Sequence, residues 1–173
     1  MANLYPDKLI NYRVYKDGAT MLGEGTVDLP EIAYMVDTLS GAGIAGEIET
    51  PVIGHIQSMS TTINWRTINK DAIDLLKTSG ALLTFRASQQ QVQADTNALQ
   101  NEPVKILMRV LPKTTTLGSA EVGATTDSST ELEVTYLKIE IGNENMLEID
   151  KVNFKFIVRG EDRLASVRSD LGM

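Results

Sequence analysis

The stretch 131-ELEVTYLKIEIGNENMLEIDKVNFKF-156 decides the fold class. Leu132, Val134 and Tyr136 are apolar at even positions, then Leu137, Ile139 and Ile141 at odd ones. After Gly142-Asn143-Glu144-Asn145, Leu147 and Ile149 are odd, and Val152, Phe154 and Phe156 even. A period of two marks half-buried strands, and the intervening turn residues join them as a hairpin. If Ile141 faces Met146, Leu137 lies opposite Asp150 and Tyr136 opposite Lys151. Both phase changes then fall at one level of the ladder, and each turns the side chains to the other face. The expectation is that one half packs in the subunit core while the other faces a different buried surface, including one offered by another subunit. A pair of bulges is the competing reading.

The same alternation runs outward in both directions. Ile10, Tyr12, Val14 and Lys16 share one face of a first strand, and Asp17-Gly18 follows as a tight-turn signal. A second strand is expected from Thr20 to Leu29, stopped by Pro30, and a third from Glu31 to Leu39. Ser40 to Thr50 is glycine-rich and reads as a loop. Met59, Thr61, Ile63 and Trp65 align within Gln57 to Arg66. Strands resume at Leu82 to Val92 and Pro103 to Leu111, with a polar Gln93 to Glu102 between. Pro112 to Ser129 reads as a second long loop that contacts something or moves. One helix is expected, Asn69 to Thr78, capped by Asn69 and stopped by Gly80. Ala72, Ile73, Leu75 and Leu76 form its apolar stripe, with Leu75 and Leu76 expected against a sheet. No repeat or linker divides the 173 residues, so residues 1–173 are read as one domain.

Composition excludes several function classes. Sixteen Lys and Arg against 23 Asp and Glu leave a net charge of −7, which argues against a grip on phosphate. The absence of cysteine removes disulfides, thiolate nucleophiles and the usual zinc sites. The sole histidine, His55, rules out a two-histidine metal site in one chain. The Met1–Pro6 stretch carries no address signal, and no apolar run reaches the ~20 residues of a membrane span. A protein made in the cytoplasm, which stays there or leaves without a cleaved signal, is expected, with no membrane insertion by the monomer.

Four patterns raise chemistry and are weighed down by their surroundings. Gly41-Ala42-Gly43-Ile44-Ala45-Gly46 matches the dinucleotide fingerprint, but Glu47, Glu49 and Pro51 follow where a helix would have to begin. His55 lacks a nucleophile-elbow sequence, so it reads as a strand-edge or interface residue. The pairs Glu47/Glu49 and Glu131/Glu133 each share a strand face but lack a calcium loop or a sugar platform, so they read as solvated. Asp162-Arg163, with Arg159, Arg168 and Asp170, reads as a surface ion-pair patch or a tail that docks on a neighbour. No catalytic residue, metal site or cofactor is expected.

The order of several motifs is similar to that of a known family. Lys8-Leu9-Ile10-Asn11-Tyr12, Val14 and Asp17-Gly18 resemble the opening strand of the major tail tube proteins of contractile-tailed bacteriophages and phage-tail-like bacteriocins. Ser40-Gly41-Ala42-Gly43-Ile44 with Gly46 resembles their Gly-Ala-Gly loop, and Leu147-Glu148-Ile149-Asp150 with Val152-Asn153 their last hairpin strand. Gly160, Asp162-Arg163-Leu164, Arg168 and Leu171-Gly172 resemble their closing tail. The segments Gln89 to Pro103 and Pro112 to Ser129 depart from the pattern. The resemblance implies a mainly β fold, two antiparallel sheets in a barrel-like sandwich with one short flanking helix. It also implies homohexameric rings stacked into a tube, with strands from every subunit joined in one barrel around a channel.

The function expected is therefore structural: the inner tail tube of a contractile phage tail or R-type bacteriocin, in a virion tail or an extracellular particle assembled in the bacterial cytoplasm. Implied partners are the chain itself, a sheath protein, a tape-measure protein, baseplate tube-initiating proteins and, in a phage, DNA in transit without specific binding. Gly41, Ala42, Gly43, Ile44, Gly46, Asp162 and Arg163 are the expected ring-stacking contacts. Ser58, Ser60, Thr62, Gln89, Gln91 and Gln93 are the expected channel-facing residues, with Glu47 and Glu49 at the rim. The rivals are a β-sandwich adhesin using loops 40–50 and 112–129, and a small hydrolase built on His55.

Overall fold

The fold was analysed in a computed structural model, which describes residues 4–22 and 25–173. Met1–Asn3, the start of the stretch read for an address signal, and Gly23–Glu24 within the expected second strand lie outside the described residues. The chain is mainly β, with antiparallel sheets in a sandwich-like arrangement and no closed barrel within one subunit. A ten-stranded sheet runs in the order β12-β11-β10-β9-β8-β7-β1-β2, with β6 on a second side of β9 and β3 beyond it. Its long members are β1 (Leu4–Lys16), β7 (Ala81–Gln93), β8 (Leu99–Thr116) and β9 (Ser128–Ile141). The shorter ones are β2 (Thr20–Met21), β3 (Gly25–Asp28), β6 (Ser60–Trp65), β10 (Glu144–Asp150), β11 (Lys155–Val158) and β12 (Glu161–Asp162). A separate two-stranded sheet consists of β4 (Tyr34–Ser40) and β5 (Glu47–Ile56).

The 131–156 stretch folds differently from its expected register. Gly142 and Asn143 alone make the turn, both at positive φ, as a two-residue hairpin loop requires. Ile141 pairs with Glu144 rather than Met146, and the ladder slips between Asn145 and Leu147. The phase change on β9 is a bulge. Val134 pairs with Val110 and Tyr136 with Arg109, so Thr135 is the extra residue. Leu132, Val134 and Leu137 consequently all enter one core, and the expected second environment is not found. The phase change on the return side marks the end of the strand. β10 stops at Asp150, whose carboxylate accepts bonds from the Val152 and Asn153 amides and from Asn153 Nδ2. That turn sends β11 back along β10.

Other boundaries shift for comparable reasons. The expected second strand divides: β2 continues the hairpin from β1, whereas β3 crosses to β6. Gly25 permits the crossing, because a Cβ there would collide with the Asn64 carbonyl. Residues 31–33 are not strand, and residues 47–50, expected in a loop, belong to β5. β8 extends both ways into segments read as polar linkers, leaving loops of 94–98 and 117–127. The second loop is tied down by Thr126 and Asp127, whose amides donate to the Arg66 carbonyl.

The core gathers Met59, which immediately precedes β6, Ile63 and Trp65 of β6, Leu83 and Phe85 of β7, alternate residues of β8 and β9, and Ile149 and Phe156. Trp65 is fully enclosed and donates its indole N–H to Thr130 Oγ1 at 3.1 Å. Two short helices flank the sheet, not one. The expected helix is α1 (Lys70–Asp74), with Asn69 Oδ1 accepting from the Ala72 amide. It is shorter than expected, and its stripe is narrower: Ala72 and Leu75 are buried, but Leu76 is 43% exposed. The second helix, α2 (Ala165–Asp170), was hidden in the charged tail. Leu164 and Val167, three residues apart, pack inward there.

Leu75→Ala should cost about 2–5 kcal/mol, the range for truncating a core residue. Leu76→Ala should stay near 0.5 kcal/mol, as for surface changes; urea unfolding of both variants checks the difference. A second expectation concerns acid. Burial tends to raise the Asp150 pKa, but its bonds from Asn153 and Val152 outweigh this and hold it below the ordinary aspartate value. The Arg168 guanidinium holds Asp162 down likewise. Groups with lowered folded pKa values stabilise fully above their unfolded pKa, so this contribution fades as pH falls below about 4. Melting temperatures from pH 7 to 3 should fall less steeply in Asp150→Asn than in the parent chain.

Candidate assembly surfaces

The β4–β5 hairpin forms an arm. β4 is exposed along its whole length and β5 along all but its last few residues. Seven residues of strand make it about 20 Å long. Its register sorts the side chains onto two faces. Asp37 and Leu39 share one face with Thr50 and Ile48, and Val36, Thr38 and Ser40 share the other with Pro51, Glu49 and Glu47. The first face sets Leu39 and Ile48 beside Asp37 and Thr50, and the second carries both glutamates next to the apolar Val36 and Pro51. Met35, Leu39, Ile48 and Val52 are all classed as exposed. An isolated two-stranded sheet with uncovered apolar side chains is marginal in water and marks a surface meant for a partner.

The arm is rooted by the closing tail. β4 advances two residues, from Tyr34 to Val36, while β5 advances from Ile56 to Pro51, so Val52–His55 bulge outward at the base. Gly54 sits there at φ +68°, and Leu164 packs so closely on it that any Cβ would collide. Tyr34 meets Phe156 edge-on with ring centroids 5.8 Å apart, and Gln57 bonds the Tyr34 carbonyl. Arg168 secures the tail by donating to Asp162 Oδ2 at 2.6 Å and to the Phe154 carbonyl at 2.7 Å.

The residues expected at ring contacts fall into two places. Gly41, Ala42, Gly43, Ile44 and Gly46 form the arm tip, a turn closed by the Ile44 amide on the Gly41 carbonyl. The glycines there have positive φ and open space around them. No helix begins at this motif, so no ring of amides faces a phosphate. Asp162 is held inside the subunit by Arg168, whereas Arg163 is exposed and paired with Glu161.

The channel candidates lie on opposite sides of the large sheet. Ser60 and Thr62 pair with Glu133 and Glu131 on the side away from the core, and the Ser58 hydroxyl donates to Glu133. Gln89 and Gln91 follow Leu83, Phe85 and Ala87 on the core side of β7, beyond the end of the core, with Gln93 next in line. Their cross-strand neighbours are Glu102 and Gln100 on β8 and Leu9, Pro6 and Leu4 on β1. Glu131 bonds Lys113 at 2.7 Å, which lowers its pKa, and Lys151 lies 3.4 Å from Glu133. This carboxylate pair is therefore neutralised by lysines.

His55 is exposed at the arm base and shares a shallow hollow of about 160 Å³ with Asp150 and Lys151. No serine or threonine lines that hollow, and the Asp150 carboxylate is taken up by Val152 and Asn153. The loops expected to serve an adhesin are shorter than expected: the first is the arm tip, 41–46, and the second is 117–127. Among the described residues no cluster of acidic or histidine side chains could hold a metal, and no helix is long and apolar enough to cross a membrane.

One legible signal had gone unread. No lysine or arginine occurs between Lys16 and Arg66, a span holding seven acidic residues: Asp17, Glu24, Asp28, Glu31, Asp37, Glu47 and Glu49. The other sixteen acidic residues are matched by all sixteen cations, so the whole net charge of −7 resides in the segment that contains the arm.

A mainly β subunit with an uncovered arm is what a polymer-forming protein needs, and comparison with known proteins agrees. The tail tube protein of Escherichia phage P2 is 25% identical over 173 residues, covering 97% of this chain and 98% of that protein. The family model described as phage tail tube protein FII matches residues 6–172. The chain belongs to the phage tail tube protein FII family, as a structural component rather than an enzyme.

Proposed function

We propose that six copies of this chain close into a ring, that rings stack into the inner tube of a contractile tail, and that the tube conducts cargo when an outer sheath contracts. The observation that carries the reading is the set of apolar side chains on the arm, Met35, Val36, Leu39, Ile48 and Val52, exposed in the single subunit. Burying them on neighbouring copies gains about 25 cal/mol for each Å² removed from water. Stacking uses the arm tip, Gly41, Ala42, Gly43, Ile44 and Gly46, with Arg163 on the tail as a second contact and Asp162 holding that tail in shape. The sheath, tape-measure and baseplate tube-initiating proteins are the further partners of this reading. It covers both a phage, where DNA passes through, and a bacteriocin, where none does.

The channel wall is assigned to Gln89, Gln91 and Gln93. Their cross-strand neighbours include no cation, and amide side chains give a polyanion nothing to hold. Ser58, Ser60 and Thr62 are the alternative wall, less favoured because paired lysines and glutamates stand beside them. Glu47 and Glu49 sit at the rim in this arrangement.

Negative-stain microscopy of the purified chain should show six-fold rings or hollow tubes. Deleting Ala42–Glu47 should leave a folded subunit, with an unchanged circular dichroism spectrum, that no longer stacks. A deletion that unfolds the monomer yet leaves residual tubes intact would contradict the role of the tip. Converting Gln89, Gln91 and Gln93 to lysine should leave the tube assembled but make it retain DNA at low salt and release it as salt rises. The same change at Ser58, Ser60 and Thr62 serves as the comparison. Retention by that variant alone would move the wall to the other side of the sheet.

A further inference from the structure

The side of the large sheet facing away from the core carries a cost that nothing within the subunit repays. Arg13 of β1 lies directly opposite Arg86 of β7, and Arg86 directly opposite Lys105 of β8. Directly opposed residues in a ladder project from the same face, so three cations form one cross-strand row, and like charges so placed are destabilising. Only the far end is neutralised, by Glu140, which lies 3.1 Å from Lys105 and 2.7 Å from Lys138. The Arg86 guanidinium lies 5.7 Å from the centre of the Tyr15 ring and that of Arg109 5.1 Å from the centre of Tyr136, so each has a ring rather than a carboxylate beside it. Among the described residues Arg13, Arg86 and Arg109 have no carboxylate within salt-bridge distance.

The complementary surface lies on the same chain, at the arm. Glu47 and Glu49 are exposed, share one face with Thr38 and Ser40 and, nearer the base, Val36 and Pro51, and likewise have no ion-pair partner among the described residues. Two residues apart on a strand, they stand about 6.6 Å from each other. Neighbouring strands carry the cations of the row about 4.8 Å apart, so two carboxylates span two adjacent cations. We propose that the glutamate-bearing face of one copy's arm docks on the Arg13–Arg86–Lys105 row of a second copy. The occupant is another copy of this chain because the charge is divided within the chain: an all-acidic segment that includes the arm, and a sheet face with surplus arginine. Such a contact joins two different patches. Each joined pair of copies therefore leaves one free arm and one free basic row, and the contact propagates. The arm's other face remains available for a different neighbour.

This inference rests on the self-assembly reading and is tested by charge exchange in the full chain. Arg13→Glu with Arg86→Glu, and separately Glu47→Arg with Glu49→Arg, should each reduce sedimentable tubes at least tenfold. Both should keep the parent's circular dichroism spectrum and unfold in a single cooperative transition. The fourfold variant should recover tubes, and so should a mixture of the two double variants, because each then offers the other an opposite charge. Parent assembly should also weaken as salt rises. Tubes at parental yield from the Arg13/Arg86 variant would overturn the contact while leaving the tube reading intact. Folded double variants that fail to assemble even when mixed or combined would also overturn it, and would assign the basic row to an acidic partner other than the arm. A parent chain that forms no rings or tubes would overturn the assembly reading and this contact with it.

Discussion

The bulge at Thr135 allows one strand to serve three neighbours. Before it, β9 pairs with β6 on one side and β8 on the other; after it, β10 takes the place of β6. A regular ladder would have turned Leu137 outward once Val134 faced in. The extra residue restores the phase, so Leu132, Val134 and Leu137 all reach the core. The freed backbone groups are used. The Val134 amide bonds the Met59 carbonyl, and the Thr135 carbonyl accepts from the Lys151 amide. These two bonds link the approach to β6 and the exit from β10 to the same point on β9. The branching of the sheet, with β6 giving way to β10 along β9, is fixed at that junction.

The arm presents the opposite physics. Its backbone groups are paired strand to strand, yet its apolar side chains are bare. The free subunit accepts that exposure because the segment bearing it is also the most acidic in the chain. Repulsion between like-charged arms opposes random collapse, and burial of the apolar side chains rewards only a fit that also answers the charge.

Much of this was legible in the sequence, and the misses have physical causes. Alternation at Met59–Trp65 identified a core face correctly, because a half-buried strand writes its exposure pattern directly into residue type. Asn69 announced its cap, and Asp17-Gly18 its turn. Residues 47–50 were read as loop because glycine and glutamate signal solvent, and an arm exposed on both faces looks like a loop in composition. Leu76 was placed inside because an apolar stripe does not reveal how much of a short helix the sheet can cover. α2 was missed because its six residues include Arg168, Ser169 and Asp170, while the packing side chain, Leu164, precedes it. Of the two readings of the phase changes in 131–156, the bulge holds on β9, and the change on the return side is the end of β10. A bulge and a strand end produce the same break in alternation, and only the pairing partners tell them apart.

The contact between Leu164 and Gly54 also imposes an order of events in time. The two residues are 110 positions apart, so during synthesis the arm emerges long before the side chain that seats its base. Until Leu164 arrives, Gly54 and the bulge around it leave the hairpin free to swing, and a swinging hairpin pays its full ordering entropy on docking. Once Leu164 is in place that cost has already been met within the subunit. The tail thus works as a completion check: a chain that has not reached residue 164 carries the arm but cannot aim it. Half-made copies are poor competitors for a growing end.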